Sequence, residues 1–185
     1  HNTPMYSLDN SYTIEDLYDW EKRISKIIEG EIKFTCELKY DGASISLSYI
    51  DGKFVKAITR GDGIRGDDVT ANIKTIPTVP LILRNDNVKD FDIRGEIVMP
   101  IDGFKKLNAK RVLNGEEPFK NPRNTASGSL KLQDSKEVSK RPLECLLYSI
   151  VEKTLLFALK NDNSLEIPAN AIAGSLGFSS YNLDM

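Results

Sequence analysis

Lys39 is the residue best placed to do chemistry, because it ends an alternating stretch and directly precedes a turn signal. Apolar and polar residues alternate over residues 32–39, which predicts a half-buried strand with Glu37 and Lys39 on one face. Asp41 and Gly42 then predict a turn. A lysine held between a strand and a turn is either a covalent nucleophile or an ordinary turn residue, and the spacing alone leaves both open.

As a nucleophile, Lys39 would have to lose a proton, since a free lysine has a pKa of about 10.4. Glu37 and Asp41 favour the ammonium form, whereas desolvation, an arginine or a divalent cation favours the neutral amine. The electrophile could be a carbonyl carbon or a phosphorus atom. Arg60 and the glycine-rich loop at residues 60–66 favour phosphorus, because a guanidinium fork and backbone N–H groups both suit phosphate oxygens.

A hairpin signal brings Arg60 towards this turn. Asp51-Gly52 separates two strand-like runs and predicts a two-residue hairpin loop. Paired residue numbers would then sum to 103, which places Arg60 opposite Ala43.

The other periodicities predict a mixed α+β domain with mostly antiparallel strands. They indicate five helices: over 11–28, from Asp67 or Asp68 to near Thr75, over 102–114, through the small residues 125–129 and near 168–176. They also indicate further strands over 91–99 and 143–151.

Charge is distributed unevenly along the 185 residues. Residues 103–141 hold ten basic and four acidic side chains, a net of +6, so the remainder carries −8 of the total of −2. Such a stretch is either a surface that faces a polyanion or a solvated lysine-rich face.

Cysteine, histidine and hydropathy narrow the function classes. Cys36 and Cys145 both lie in apolar runs, which predicts core residues in a reducing compartment, the cytoplasm, and no zinc site. His1 is the single histidine, which argues against histidine acid/base catalysis. No apolar run approaches the roughly 20 residues of a membrane span, and no signal peptide is seen.

Several longer motifs follow one another along residues 1–150. They are His1 with Pro4–Asn10, Cys36–Gly42, Thr59–Gly63, Gly66–Asn72, Arg94–Glu96, Asn121–Leu130 and Lys140–Leu143. In type and order they resemble the adenylation (nucleotidyltransferase) domain of bacterial NAD-dependent DNA ligase. The resemblance implies an α+β nucleotidyltransferase core, ATP-grasp-like, with mostly antiparallel sheets flanked by helices. The core would occupy residues 1–151, followed by a tail at 152–185 that matches the family less well.

The resemblance also implies a reaction. Lys39 would attack the adenylyl phosphorus of NAD and carry AMP, which then passes to the 5′-phosphate of nicked duplex DNA and is displaced by the 3′-hydroxyl. The implied nucleotide pocket comprises Ser7, Leu8, Glu37, Asp41, Arg60 and Glu96, and the implied contacts to DNA phosphate are Arg123 and Lys131. Magnesium would bind transiently, with no resident metal site, in a monomer that does not engage membranes.

The chain also departs from the family pattern. The family carries a later Asp-Gly-x-Val-x-Lys strand and a further downstream lysine, which residues 152–185 do not contain. We therefore expect a truncated domain, incomplete at its C-terminal end and unable to ligate alone. Lys131 stands where the family usually has arginine, which loses a bidentate fork. The alternatives are an inactive nucleotide- or DNA-binding relic and an ATP-dependent relative, such as another ligase or an RNA-capping enzyme.

Overall fold

A computed structural model describes residues 1–151 except residues 2, 8, 35 and 85–89. The chain divides into two compact units: Tyr6–Lys39 forms one, and His1–Met5 together with the chain from Tyr40 onward forms the other. The helix predicted near 168–176 and the predicted tail at 152–185 lie outside the described residues.

The smaller unit contains one helix, α1 (Ile14–Ile24), which is shorter than the predicted 11–28. Its start agrees with the sequence, because Thr13 and Asp16 form a capping box in which each side chain bonds the other residue's backbone N–H. The ring of Trp20 packs against Phe34, with 5.4 Å between ring centroids.

The strand predicted over residues 32–39 is wrong for the described part of that segment, which has no strand assignment. Alternation specifies the two faces of a strand but does not supply a neighbour for its ladder hydrogen bonds. The prediction that Cys36 is a core residue fails with it, since its thiol is exposed.

The larger unit is built on a four-stranded sheet. The strands are β1 (Ala43–Ile50), β2 (Lys53–Thr59), β3 (Phe91–Val98) and β4 (Glu144–Ile150). They lie in the order β2-β1-β3-β4, and each neighbouring pair is antiparallel. The predicted α+β class with antiparallel strands is therefore confirmed.

Four helices accompany the sheet in the described part of this unit. They are α2 (Thr70–Ile73), α3 (Ile101–Leu113), α4 (Pro122–Leu130) and α5 (Ser135–Ser139). The sequence patterns predicted the first three, but α5, a five-residue helix capped by Asp134, was not predicted. No helix among the described residues is both long and apolar enough to span a bilayer.

The hairpin between β1 and β2 forms at Asp51-Gly52 as predicted, but its register shifts by one residue. Ile50 pairs with Lys53, whereas Ser48 pairs with Lys56, so Val55 is an extra residue in a β-bulge. The prediction that Arg60 lies opposite Ala43 is therefore wrong. Arg60 lies opposite Ser44, to whose carbonyl its N–H donates at 3.1 Å.

The two faces of the sheet differ in chemistry. Ile45, Leu47 and Tyr49 alternate along β1 and are almost fully buried in the core. The core also takes in Ile73 of α2 and Leu130 of α4. The intervening serines of β1 pair with polar residues of β3, as Ser44 does with Glu96. The apolar face thus holds the helices, while the polar face is left to form a site.

Candidate functional site

Ser44 lies on the polar face near the start of β1 and connects Glu96 with Arg60. Its hydroxyl donates to Oε2 of Glu96 at 2.7 Å, and its carbonyl accepts the N–H of Arg60. Glu96 is buried, with 9% of its surface exposed. Two of the predicted pocket residues, distant in sequence, are therefore brought to either side of one serine by the order of the strands.

Tyr148 on β4 is a site residue that the sequence interpretation missed. The β3–β4 register shifts between Arg94 and Gly95, and Tyr148 is the unpaired residue of the resulting bulge. Burial raises the pKa of Tyr148, and the Glu96 carboxylate raises it further. Tyr148 remains 38% exposed. An aromatic ring thus lies at the polar face beside Glu96, and the sequence signal for it was an aromatic residue within the strand predicted over 143–151.

The segment His1–Met5 packs against the loop that follows β2. The ring Nε2 of His1 lies 3.0 Å from the carbonyl oxygen of Thr59 and 3.1 Å from that of Arg60. The N–H of Met5 donates to the carbonyl of Gly63 at 2.8 Å. These contacts fix the backbone from which Arg60 projects.

Arg94 has a structural rather than a chemical role in this arrangement. Its guanidinium donates to the carbonyls of Thr3 at 3.2 Å and Pro4 at 2.8 Å. The arginine of the Arg94–Glu96 motif therefore ties the N-terminal segment to the sheet, while the glutamate two positions later bonds Ser44.

The glycine-rich loop does not offer its backbone to a phosphate in the way the sequence suggested. The N–H groups of residues 62–65 are all donated within the loop, two of them to the Asp62 carboxylate. Those two bonds, the Arg65 N–H first, hold the pKa of Asp62 below its ordinary value. Gly61 has φ +56°, and a Cβ there would lie 1.8 Å from the Arg65 carbonyl oxygen. The glycines therefore permit a tight loop whose N–H groups at residues 62–65 are bonded internally.

The Asp41-Gly42 turn is explained by a close approach of two backbones. A Cβ on Gly42 would lie 2.2 Å from the carbonyl oxygen of Ile97, so only glycine lets the turn pass β3. Asp41 forms an ion pair with Arg123, with 2.9 Å between Oδ1 and Nη1. A predicted pocket residue and a predicted phosphate contact are thus paired with each other.

Lys131, the second predicted phosphate contact, follows α4 directly. Its Nζ lies 3.0 Å from Oδ2 of Asp67. Helix α4 begins at Pro122, where the Asn121 side chain caps it, and its small residues Thr125, Ala126 and Ser129 are buried. The helix predicted through residues 125–129 is therefore confirmed.

The remaining predicted residues lie in the smaller unit or outside the described residues. Ser7, Glu37 and Lys39 are exposed within Tyr6–Lys39, and Leu8 is not among the described residues. That Lys39 meets Arg60 stays a prediction. Among the residues that the structure describes, no group of three or more histidine, cysteine, aspartate or glutamate side chains is placed to hold a metal.

Comparison with known proteins agrees with the motifs. A family model described as the NAD-dependent DNA ligase adenylation domain matches residues 1–176. The chain is 66% identical over 150 residues to a DNA ligase of Christiangramia forsetii, covering 81% of this chain and 23% of that protein. It is 61% identical over 158 residues to a DNA ligase of Flavobacterium johnsoniae, covering 85% and 24%.

A relative from Haloferax volcanii, also a DNA ligase, is 48% identical over 152 residues, covering 82% of this chain and 22% of that protein. The chain spans about a quarter of the length of these curated relatives. The family match extends over the sheet, the Ser44–Glu96 contact and the segment that contains Lys39. The chain belongs to the NAD-dependent DNA ligase adenylation domain family.

Proposed function

We propose that this chain carries out the first step of NAD-dependent DNA ligation, the formation of a lysyl-AMP intermediate on Lys39. The amine attacks the adenylyl phosphorus of NAD, a P–N bond forms, and the P–O bond to nicotinamide mononucleotide breaks. The observation that carries the proposal is the contact of Ser44 with buried Glu96 and with the backbone of Arg60. It fixes a carboxylate and an arginine together on one polar face of a domain that belongs to this family.

Each residue of that face suits one part of the nucleotide. Glu96 keeps acceptor positions that Ser44 does not use, and ribose hydroxyls are donors that match them. Arg60 offers a planar fork for phosphate oxygens. The half-buried ring of Tyr148 offers a face on which the adenine can stack. The family resemblance adds Ser7, Leu8 and Glu37 to the nucleotide-binding residues that we propose, with Glu37 as the adenine contact.

The attacking amine must be neutral, which requires a cationic neighbour or loss of water. We propose a transient magnesium ion bound chiefly to phosphate oxygens, with Asp41 as the protein carboxylate. One or two carboxylates with substrate phosphates is the usual form of a magnesium site. Bound magnesium would neutralise phosphate charge. Asp41 pairs with Arg123 through Oδ1, so a cation would share this carboxylate with Arg123 or replace it.

The proposed partner is nicked duplex DNA, contacted through its phosphates by Arg123 and Lys131. Each cation is paired with an aspartate, and all four side chains are more than half exposed. Exposed ion pairs contribute only about 0–1 kcal/mol, so a phosphate can displace the carboxylate at little cost. Backbone contacts carry no sequence information, which suits an enzyme that seals any nick.

The proposed setting follows from these substrates. NAD and nicked chromosomal DNA occur together in the cytoplasm of a bacterial cell, where nick sealing serves replication and repair. We propose that the domain acts there as a monomer, with the nucleotidyltransferase core of its family and without a membrane partner.

Incubation with NAD and magnesium followed by intact-mass measurement tests the adenylation step. The wild-type chain is expected to gain the mass of AMP. Lys39→Ala should remain unmodified, and Lys39→Arg controls for loss of positive charge. AMP retained by the Lys39→Ala chain would show that another residue is the nucleophile.

Nucleotide binding without chemistry is a second candidate. The N–H groups of residues 62–65 are donated within the loop, so they do not add phosphate donors that would assist the transfer of AMP. Calorimetric binding of NAD with no covalent adduct would support it. Equal labelling from ATP and NAD would instead indicate an ATP-dependent relative.

A further inference from the structure

The side-chain amide of Asn72 donates hydrogen bonds to the backbone on both sides of Lys131. Asn72 is buried, with 7% of its surface exposed, and it lies in α2. Its Nδ2 donates to the carbonyl of Leu130 and to the carbonyl of Leu132, each at 2.8 Å. Both hydrogens of one amide are therefore used on the two residues that flank Lys131.

These two hydrogen bonds form at the C-terminal end of α4, where backbone carbonyls lack partners within the helix. Leu130 is the last residue of α4, and the final carbonyls of a helix have no partner within it. Lys131 is the C-cap residue, and its own N–H returns to the carbonyl of Gly128 at 3.2 Å. Asn72 supplies the donors that the helix end lacks, and so fixes the direction in which the chain leaves α4.

The same short segment also contacts the Lys131 side chain. Asp67, five residues before Asn72, forms the ion pair with its ammonium group. Asp67 and Asn72 together line a cleft of about 510 Å³ with Leu130, Lys131 and Gln133. The segment from Asp67 to Asn72 thus bonds the backbone around Lys131 and pairs with its charge.

We propose that Asn72 is a positioning residue that acts through Lys131, holding it for contact with a DNA phosphate, and that Asp67 is the counter-ion which the phosphate replaces. This inference rests on the proposed role of Lys131 in DNA binding. Lysine is a point charge on a flexible stem, so the placement of its ammonium depends on how firmly its backbone is held. A bond to each flanking carbonyl fixes that backbone.

The salt dependence of DNA affinity reports the number of phosphate contacts, and a loss of folding stability does not change it. Each neutralised phosphate contributes about 0.9 to the slope of log affinity against log salt for duplex DNA. Lys131→Ala should lower the slope by about this amount and weaken binding to nicked duplex roughly ten-fold at low salt, as expected for one charged hydrogen bond. Asn72→Ala should lower the slope in the same direction, whereas partial unfolding would reduce the active fraction and leave the slope unchanged.

A double-mutant cycle tests whether Asn72 acts through Lys131. In the Lys131→Ala background, Asn72→Ala should cause no further loss of DNA affinity. Asn108→Ala is the matched control, because Asn108 also makes two amide hydrogen bonds, both to the backbone of Phe119. Its effect should be the same in either background. Asn72→Ser, which keeps one donor, serves if Asn72→Ala does not fold, and should give an intermediate slope.

The possible results distinguish the positioning role of Asn72 from the proposed DNA binding on which it rests. A wild-type chain that does not bind nicked duplex would overturn the DNA-binding proposal itself. Binding by the wild type, with Asn72 and Lys131 effects that add or a slope that Asn72 variants do not change, would overturn only the positioning role. AMP transfer to Lys39 from NAD, measured on the same Asn72 variants, should stay at the wild-type level.

Discussion

The Ser44 hydroxyl donates to Oε2 of Glu96 across the β1–β3 ladder, 52 residues away in sequence and 2.7 Å away in space. The two residues are directly opposite in the register of these strands. A carboxylate that is 9% exposed needs such a donor, because a buried acceptor without a partner destabilises the folded state.

Ser44→Ala should therefore lower the free energy of unfolding by about 1–3 kcal/mol, since Glu96 loses its donor. It should also raise the NAD concentration needed for half-maximal adenylation. Ser44→Thr keeps the hydroxyl and is the control. Urea denaturation measures the first effect, and equal stability of the Ala and Thr variants would show that the bond contributes nothing.

Tyr148 should contribute to nucleotide binding through its ring rather than its hydroxyl. Tyr148→Phe is expected to retain near wild-type affinity for an adenine nucleotide. Tyr148→Ala should lose about 1–3 kcal/mol, the usual contribution of one base stacked on an aromatic side chain. Calorimetry with NAD measures both variants, and a loss in Tyr148→Phe as large as in Tyr148→Ala would assign the role to the hydroxyl.

The two cysteines should differ sharply in reactivity. Cys36 is exposed, whereas burial raises the pKa of the Cys145 thiol to about 12. Because the thiolate is the reactive species, a disulfide reagent at pH 8 should modify one thiol in the native chain and two in denaturant. Cys36→Ser should abolish the native reaction, and a fast reaction that survives this change would contradict the burial of Cys145.

Two glycines provide a paired test of backbone packing. Gly42→Ala should destabilise the fold strongly, because its Cβ would lie 2.2 Å from the Ile97 carbonyl oxygen. Gly128→Ala has nothing within 4 Å of the added Cβ and lies inside α4. It should stabilise the chain by roughly 0.5–1 kcal/mol, since alanine favours a helix interior over glycine. Thermal denaturation compares the two, and similar midpoints would refute the close approach.

Acid should weaken the loops that follow β2. The pKa of Asp62 is lowered by backbone hydrogen bonds, and that of Asp68 is lowered chiefly by the Thr70 hydroxyl. A carboxyl whose folded pKa is depressed stabilises the fold above its unfolded pKa of about 3.9 and loses that contribution as pH falls through the folded value. The free energy of unfolding should therefore decline below about pH 4.

Denaturant titrations at pH 7, 4 and 3 measure this decline. Asp62→Asn removes one titrating group while keeping an acceptor oxygen, so its stability should depend less steeply on pH below 4. An unchanged pH dependence in this variant would contradict the role of Asp62.

The sequence by itself determined the local elements and the family. Period-2 patterns and the Asp51-Gly52 signal placed β1 to β4 and their first turn within a few residues, because these depend on neighbouring side chains and local hydrogen bonds. The ordered motifs identified the family without any geometry. The same patterns failed at residues 32–39, where alternation did not produce a strand in the described residues.

Only the tertiary structure decided which residues meet. The bulge at Val55 moved Arg60 opposite Ser44, and the bulge on β4 left Tyr148 unpaired at the polar face. The two hydrogen bonds of the Asn72 amide connect α2 to the end of α4, with sequence separations of 58 and 60 residues. Such contacts depend on strand order, on single-residue register shifts and on which backbone groups lack partners. These are properties of the packed chain, and local sequence periodicity does not contain them.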